Sequence, residues 1–345
     1  MDVQKILTDA AAKVGPSGQE MEVAEYFAEQ FRPFVDEVTV DSMFNVIAHK
    51  KGTGPKVALF AHMDEIGLMV VAIEEDGSLR LGNVGGVDPR ILPACRVWVH
   101  GKEKLFGTIG ALPPHLMKAE DQKQNYRRED LYVDVGLPAE KVRELVRVGD
   151  IVTFNVPSTP LLNGQFAAKT MDDRACVTML VETAERLRKL QCDADVYFVG
   201  STQEEVGSRG AKTAAYALDP DLAIAIDVDH ATIPGSRPNT TVDLDSLCAS
   251  IGPFLQPKLL KRLIDCAAAH HVKLQTTVAE RNTYTDGDDV ALARAGVPVV
   301  LLSLPLKYMH TTVETLDIQA LKEGSRLLSH FLSELDAEWE DDLWI

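Results

Sequence analysis

The sequence predicts an α/β protein: a mixed sheet covered by helices on both faces, interrupted by a small β-rich, barrel-like inserted domain. Three observations carry this. From residue 173 onward, segments with helical spacing of apolar positions alternate with short apolar runs of strand length. Between about residue 68 and Pro157 the alternation gives way to short period-two segments separated by turns such as Asp76-Gly77 and Gly101-Lys102. Early extended runs ending near Ala61 have nowhere to pair except the later sheet, so the β-rich stretch at 67–160 splits one domain into residues 1–66 and 161–345.

Taken in order, Val3, Ile6, Leu7, Ala10 and Val14 share one helical face, and Ser17-x-x-Glu20 reads as a capping box opening a second helix that runs to Phe31. Extended runs follow at 37–40, 45–48 and 56–61. Inside the insertion the segments 78–81, 96–100 and 131–135 read as strands and 139–147 as a helix. After the Asn163-Gly164 turn, helices are expected at 173–190, 210–217, 257–271, 288–295 and 317–335, with strands at 196–199, 222–227, 274–278 and 299–303. The acidic, Trp-containing end at 336–345 reads as a tail or contact strip.

Composition narrows the function. With 46% hydrophobic and 25% charged residues the chain can bury a real core, and 345 residues suggest about two domains. Lys and Arg number 35 against 52 Asp and Glu, so the net charge of −17 argues against a nucleic-acid partner, whose binding is driven by basic side chains displacing counterions. Five cysteines without a Cys-x-x-Cys pair indicate neither a disulfide framework nor a cysteine-ligated zinc. The start, Met1-Asp2-Val3-Gln4, lacks the features of a secretory signal, and the longest apolar stretch, 297–306, is too short to span a bilayer. The expectation is a cytoplasmic protein without a membrane partner.

The chemistry gathers at the ends of apolar runs. Glu204 and Glu205 finish one run, His62 and Asp64 another, Asp227 a third, and His310 follows a fourth; Asp172-Asp173 precedes a helix. These are ligand types for cations that do hydrolytic chemistry. An isolated His-x-Asp is most often a surface pair, but the apolar run 57–61 delivers His62 to the edge of a buried sheet, where Asp64 can orient it. One of Asp172 and Asp173 can serve as a helix cap; the second is spare, and a single carboxylate can bridge two cations. Adjacent strand residues point to opposite faces, so Glu204 and Glu205 share a site only if extended geometry has ended before them. Asp227 and His310 taken singly are ordinary structural residues; their shared placement at the carboxyl ends of strands raises their interest. His270 and His271 suit a helix C-terminus, His49, His100 and His330 lack acidic partners at ligand spacing, His230 is a weak candidate beside Asp227, and Cys176 reads as packed rather than reactive.

Together, Ala61-His-Met-Asp64, Ala168-Lys-Thr-Met-Asp-Asp-Arg-Ala175, Gln203-Glu-Glu-Val-Gly207, Ala225-Ile-Asp227 and Tyr308-Met-His310 resemble the di-metal aminopeptidases that include the tetrahedral (TET) enzymes and glutamyl aminopeptidases, some of whose members have been labelled endoglucanases. The resemblance spans the whole chain. It implies a zinc-peptidase-like fold in which His62 and Asp227 bind one metal, Glu205 and His310 bind the other, and Asp172 bridges them ahead of a cis bond to Asp173. Glu204 would be the general base and Asp64 the carboxylate orienting His62. The Pro113-Pro114-His115 segment matches the family's inserted dimerisation and lid domain, implying a homo-oligomer of dimers assembling to a dodecamer. Two positions depart from the family: Cys176 stands where glycine is common, and Tyr284 precedes Thr285-Asp286 where a small residue is expected.

The implied activity is hydrolysis of the N-terminal residue from short peptides by a metal-bridging hydroxide. Two divalent ions per subunit are implied, and the mixed nitrogen and oxygen ligands suit zinc, with cobalt or manganese as alternatives. Thr285, Asp286 and Lys307 are candidates for the substrate pocket wall. Two other readings stand beside this one. A glycoside hydrolase would need two carboxylates facing each other across a sugar and would have no use for His62 or His310. A non-catalytic assembly protein would lack some ligands, whereas all five positions are filled.

Overall fold

A computed structural model describes residues 1–237 and 240–335; the expected tail at 336–345 lies outside them. The chain opens with α1 (Val3–Ala12) and α2 (Met21–Phe31), then β1 (Glu37–Val40), β2 (Val46–Lys50) and β3 (Lys56–His62). Next come β4 (Gly67–Ile73), β5 (Leu79–Val84), β6 (Arg96–His100), β7 (Lys104–Ala111), β8 (Leu131–Asp134), α3 (Ala139–Leu145) and β9 (Ile151–Phe154). The remainder runs β10 (Thr159–Pro160), β11 (Gln165–Ala168), α4 (Met171–Leu187), β12 (Asp195–Ser201), α5 (Arg209–Leu218), β13 (Leu222–His230), β14 (Leu247–Ile251), α6 (Pro257–Ala269), β15 (Leu274–Val278), α7 (Asp286–Val290), β16 (Val299–Leu306), β17 (Glu314–Asp317) and α8 (Ile318–Ser333).

Among the described residues two compact units emerge: residues 1–64, 158–309 and 313–335 form the first, and residues 65–157 with 310–312 the second. The chain passes between them at Asp64 and Pro157, against 66 and 160 expected from the sequence, because Thr159 and Pro160 pair with β11 inside the first unit.

The first unit is built on an eight-stranded mixed sheet in the order β1-β2-β12-β3-β13-β16-β14-β15. The central strands β12, β3, β13 and β16 run parallel, whereas β2 on β12 and β14 on β16 are antiparallel. Parallel strands covered on both faces need apolar residues throughout, and β3 is buried from Val57 to His62. Val57, Leu59 and Ala61 pack toward the core shared by α1, α2, α4 and α8; Ala58 and Phe60 pack on the opposite face with α5 and α7. The second unit is a closed barrel, β4-β5-β8-β7-β6-β9, filled by inward residues such as Leu68, Leu79, Val97 and Val133.

Several local expectations need correction. Ser17 and Glu20 do not form a capping box: α2 begins at Met21 without a side-chain cap. Their side chains are drawn instead to tertiary partners, Ser17 Oγ donating to Asp64 Oδ2 at 2.6 Å and Glu20 Oε1 accepting from the backbone N–H of Gly18 and Gln203 at 2.7 and 3.1 Å. The helix expected at 288–295 is only Asp286–Val290, opened by the Thr285 hydroxyl and followed by Arg294 and Gly296 at positive φ. Strand β14, whose interior Cys248-Ala249-Ser250 carries no β-branched or aromatic residue, was not foreseen, nor was the small sheet β10-β11-β17. His49 does have an acidic partner, Asp195 at 2.7 Å, supplied by the neighbouring strand β12 and so invisible to local spacing.

Candidate metal centre

The carboxyl ends of the parallel strands carry the candidate side chains. His62 closes β3 opposite Ser201 at the end of β12. Its ring is 2% exposed, with Nε2 3.0 Å from Asp172 Oδ1 and Nδ1 3.2 Å from the Asp64 carbonyl and 3.4 Å from Asp64 Oδ1. Burial opposes charge on this ring, but hydrogen bonds to Asp172 and Asp64 outweigh it and hold the imidazole well above its ordinary value.

Extended geometry does end before the glutamates. Gln203 takes φ +56°, and the Glu204 carbonyl accepts from the N–H of Gly207 and Ser208 at 2.8 and 3.1 Å. The turn is tied down from below: Asp64 Oδ1 accepts the Glu204 N–H at 3.0 Å and Asp64 Oδ2 the Glu205 N–H at 3.2 Å. Burial pushes the Asp64 carboxyl up, yet the bonds from His62, Ser17 and the Glu204 backbone more than offset it and hold the group below its ordinary value. Asp64 thus organises the Glu204 turn as well as His62.

Asp172 and Asp173 stand at the start of α4, joined by a cis peptide bond. The Asp172 N–H donates to Glu314 Oε2 at 3.1 Å, and Asp173 Oδ2 accepts the His62 N–H at 3.2 Å. Asp173 Oδ1 is buried without a hydrogen-bond partner. Asp227 lies in β13, which extends to His230, and is 7% exposed. Beside them Asp286, the first residue of α7, accepts a hydrogen bond from the Ser201 hydroxyl.

These groups crowd carboxyls around one imidazole. Burial pushes Asp173 and Asp227 well above their ordinary values, each also raised by neighbouring carboxylates. Glu204 is pushed up to about 10 and Asp286 to about 6, burial again being the main cause. Two overlapping sets bring their ligand atoms within 4.8 Å of one another: His62, Asp172 and Glu205, and His62, Asp173 and Asp227. An orphaned buried oxygen, mutually repelling carboxyls and a mixed nitrogen and oxygen donor set fit divalent cations, which would supply the missing positive charge.

His62, Asp172, Glu205 and Asp227 therefore converge, together with Asp173, for which sequence reasoning gave no ligand role. His310 is in neither set; its Nδ1 lies 3.1 Å from the Gly86 carbonyl within the second unit. Thr285 is the N-cap of α7 and Lys307 pairs through its backbone with Thr315 at 2.9 and 3.0 Å. His230 is exposed and outside both sets. The Cys176 thiol is buried against Asp173; burial pushes it well above its ordinary value, so it is packed rather than reactive. Sequence reasoning missed Glu20, Glu314 and the anchoring role of Ser17. Only tertiary packing marks them.

The chain is similar to proteins of known kind. The model of the M42 glutamyl aminopeptidase family matches residues 45–327. A lysyl aminopeptidase of Pyrococcus furiosus is 37% identical, over 93% of this chain and 94% of its own length. The crystal structure of a TET aminopeptidase from Thaumarchaeota archaeon SCGC AB-539-E09 superposes with a TM-score of 0.94 at 29% identity, covering 98% of each chain. The TET1 peptidase of Pyrococcus horikoshii, described as able to assemble into a tetrahedron or a large octahedral shell, superposes at 0.84 with 30% identity, over 97% of this chain and 100% of its own. The chain belongs to the M42 glutamyl aminopeptidase family of metal-dependent peptidases.

Proposed function

We propose that this aminopeptidase removes the N-terminal residue of short peptides with Glu204 as general base and with His62, Asp172, Glu205, Asp227 and His310 holding two divalent cations. The observation that carries the reading is the pair of ligand sets sharing His62. His310 rests on the Tyr308-Met-His310 motif alone. Zinc is the cation the donors suit best, with cobalt or manganese as alternatives.

Bound cations would polarise a peptide carbonyl and acidify water. The chain's own residues do the rest. Burial, with the Asp227 and Asp286 carboxylates, pushes Glu204 up to about 10 against the opposing charge of His62, so its use as a base requires more positive charge nearby than His62 supplies. Once ionised, its carboxylate takes a proton from the attacking water and delivers it to the departing amine. Asp64 holds the turn that aims Glu204 and keeps the His62 ring oriented. Thr285 and Asp286 are proposed to line the substrate pocket, with Lys307 a further candidate for its wall.

The assembly proposed is a homo-oligomer of dimers building a dodecamer, supported by the description of the Pyrococcus horikoshii TET1 peptidase and by Pro113-Pro114-His115 in the proposed dimerisation module. A cytoplasmic setting is proposed from five unpaired cysteines; no helix among the described residues is long and apolar enough to cross a membrane.

The decisive experiment is Glu204→Gln. The variant should keep its metal content and lose about 10²- to 10⁴-fold in kcat, the range of a positioned acid or base. Unchanged turnover on aminoacyl chromogenic substrates would remove Glu204 from the role.

A further inference from the structure

A second cluster of ligand-type side chains lies where α6 and α8 end. Cys266 is in the last turn of α6 and His270 is its C-cap, four residues apart and so on one helical face. Glu334 is the C-cap of α8. Cys266 Sγ, a ring nitrogen of His270 and a Glu334 carboxylate oxygen all lie within 4.8 Å of one another, and every other grouping of this kind among the described residues contains His62.

The setting favours a cation. Two helices of 13 and 16 residues converge through their C-termini, the negative poles of their dipoles. His270 Nε2 is 2.7 Å from Glu334 Oε1, and its ring is stacked on His330 with centroids 3.7 Å apart and planes 11° from parallel, which fixes the ring orientation. The nearby guanidiniums are turned to other acceptors: Arg326 donates to the His270 carbonyl at 2.7 Å and to Glu323 at 3.0 Å, and Arg262 to the Glu334 carbonyl at 3.4 Å. Cys266 is 4% exposed whereas Glu334 reaches solvent, so the trio offers an inner sulfur and an outer oxygen along a path open to water.

We propose that Cys266, His270 and Glu334 form a binding site for a divalent cation of the zinc or cobalt class, separate from the peptidase centre. One sulfur, one nitrogen and one oxygen make a borderline donor set that selects such ions over magnesium or calcium, and three protein ligands leave one position for water. Binding removes the thiol proton to bulk solvent and replaces the Cys266 S–H with a thiolate-to-cation bond, with no change of oxidation state. His330 is a positioning residue that holds the His270 ring.

Cobalt reads the site without reference to peptidase activity, because none of the ligands proposed for the peptidase centre is a thiolate. Full-length protein stripped with chelator and titrated with cobalt should develop a thiolate-to-cobalt charge-transfer band in the near ultraviolet. Cys266→Ser should abolish the band and bind one fewer cobalt per chain by elemental analysis. Cys176→Ser, altering the thiol buried against Asp173, should retain it. His270→Asn, at a half-exposed position, should weaken cobalt binding at this site and leave aminopeptidase activity unchanged, which keeps the test open even if Cys266→Ser folds poorly. No band in the unsubstituted protein, a band surviving Cys266→Ser, or a band lost with Cys176→Ser would each overturn the assignment.

Discussion

Asp64 accepts the backbone N–H of Glu204 at 3.0 Å while its carbonyl and carboxylate face His62, so one buried side chain couples the end of β3 to the turn after β12. Asp64→Asn should therefore do more than turn a ring. An amide can keep only one oxygen acceptor and would set its NH₂ against one of two backbone donors. Under the proposed ligand role of His62, activity should fall about 10- to 100-fold, the range for partners of metal-binding histidines, with zinc affinity falling alongside. Steady-state kinetics and a competitive zinc titration check this, and an unchanged zinc affinity would separate the anchoring role from the histidine.

Glu20 gives a pH signature. Burial pushes its carboxyl up to about 7 from 4.5, with Asp64 adding to the rise. A raised carboxyl binds its proton in the folded chain where the unfolded chain has lost it, so stability declines as pH rises from the ordinary value through the folded one. Glu20→Gln keeps an oxygen for the Gly18 and Gln203 N–H groups and removes that decline. Its Tm should gain on the unsubstituted protein between about pH 5 and about pH 8, by at most about 3 kcal/mol in stability. Parallel Tm curves would count against a strained carboxyl.

Chelation should expose the repulsion at the proposed metal centre. Asp173, Asp227 and Glu204 are all raised, and so is His62, which gives the same sign because a raised imidazole loses its stabilising charge as pH climbs. Chelator-treated protein should lose Tm steadily from about pH 6 to about pH 9, while zinc-loaded protein stays nearly level. Thermal scans at matched ionic strength test this; equal slopes would argue that zinc does not sit among these carboxyls.

Gly210 is a packing test. A Cβ there would meet Asn45 Oδ1 and, at 2.5 Å, the backbone N and O of Thr202, the residue before Gln203. Backbone cannot swing aside as a long side chain can. Gly210→Ala should cost about 1–3 kcal/mol and shift the Glu204 turn, lowering kcat more than it raises KM. Urea denaturation paired with kinetics reads both.

Much of the site was legible because parallel strands end together at one edge. Apolar runs closing on His62, Glu204-Glu205 and Asp227 announced that edge without any structure, since a buried run seldom stops on a carboxylate for no reason. What stayed hidden depends on partners distant in sequence. Glu20 looked like a helix cap because local spacing cannot report that Gln203, 183 residues on, offers a competing N–H. Asp173 had no ligand role in the sequence reading, which gave the bridging carboxylate to Asp172; the fold places Asp173 beside His62 and Asp227. Strand β14 has a small, weakly β-forming interior, Cys248-Ala249-Ser250, and is a strand through its pairing with β15 and β16.

The closed barrel has a further implication. Because β9 returns to β4, the strands of that unit close on themselves and none of them stands at a sheet edge as β1 and β15 do. Closure thus turns docking on residues 65–157 toward side-chain surfaces and loops rather than strand addition. Among the described residues, open strand margins belong to the first unit: β1 and β15 of the large sheet, and β10 and β17 of the small one.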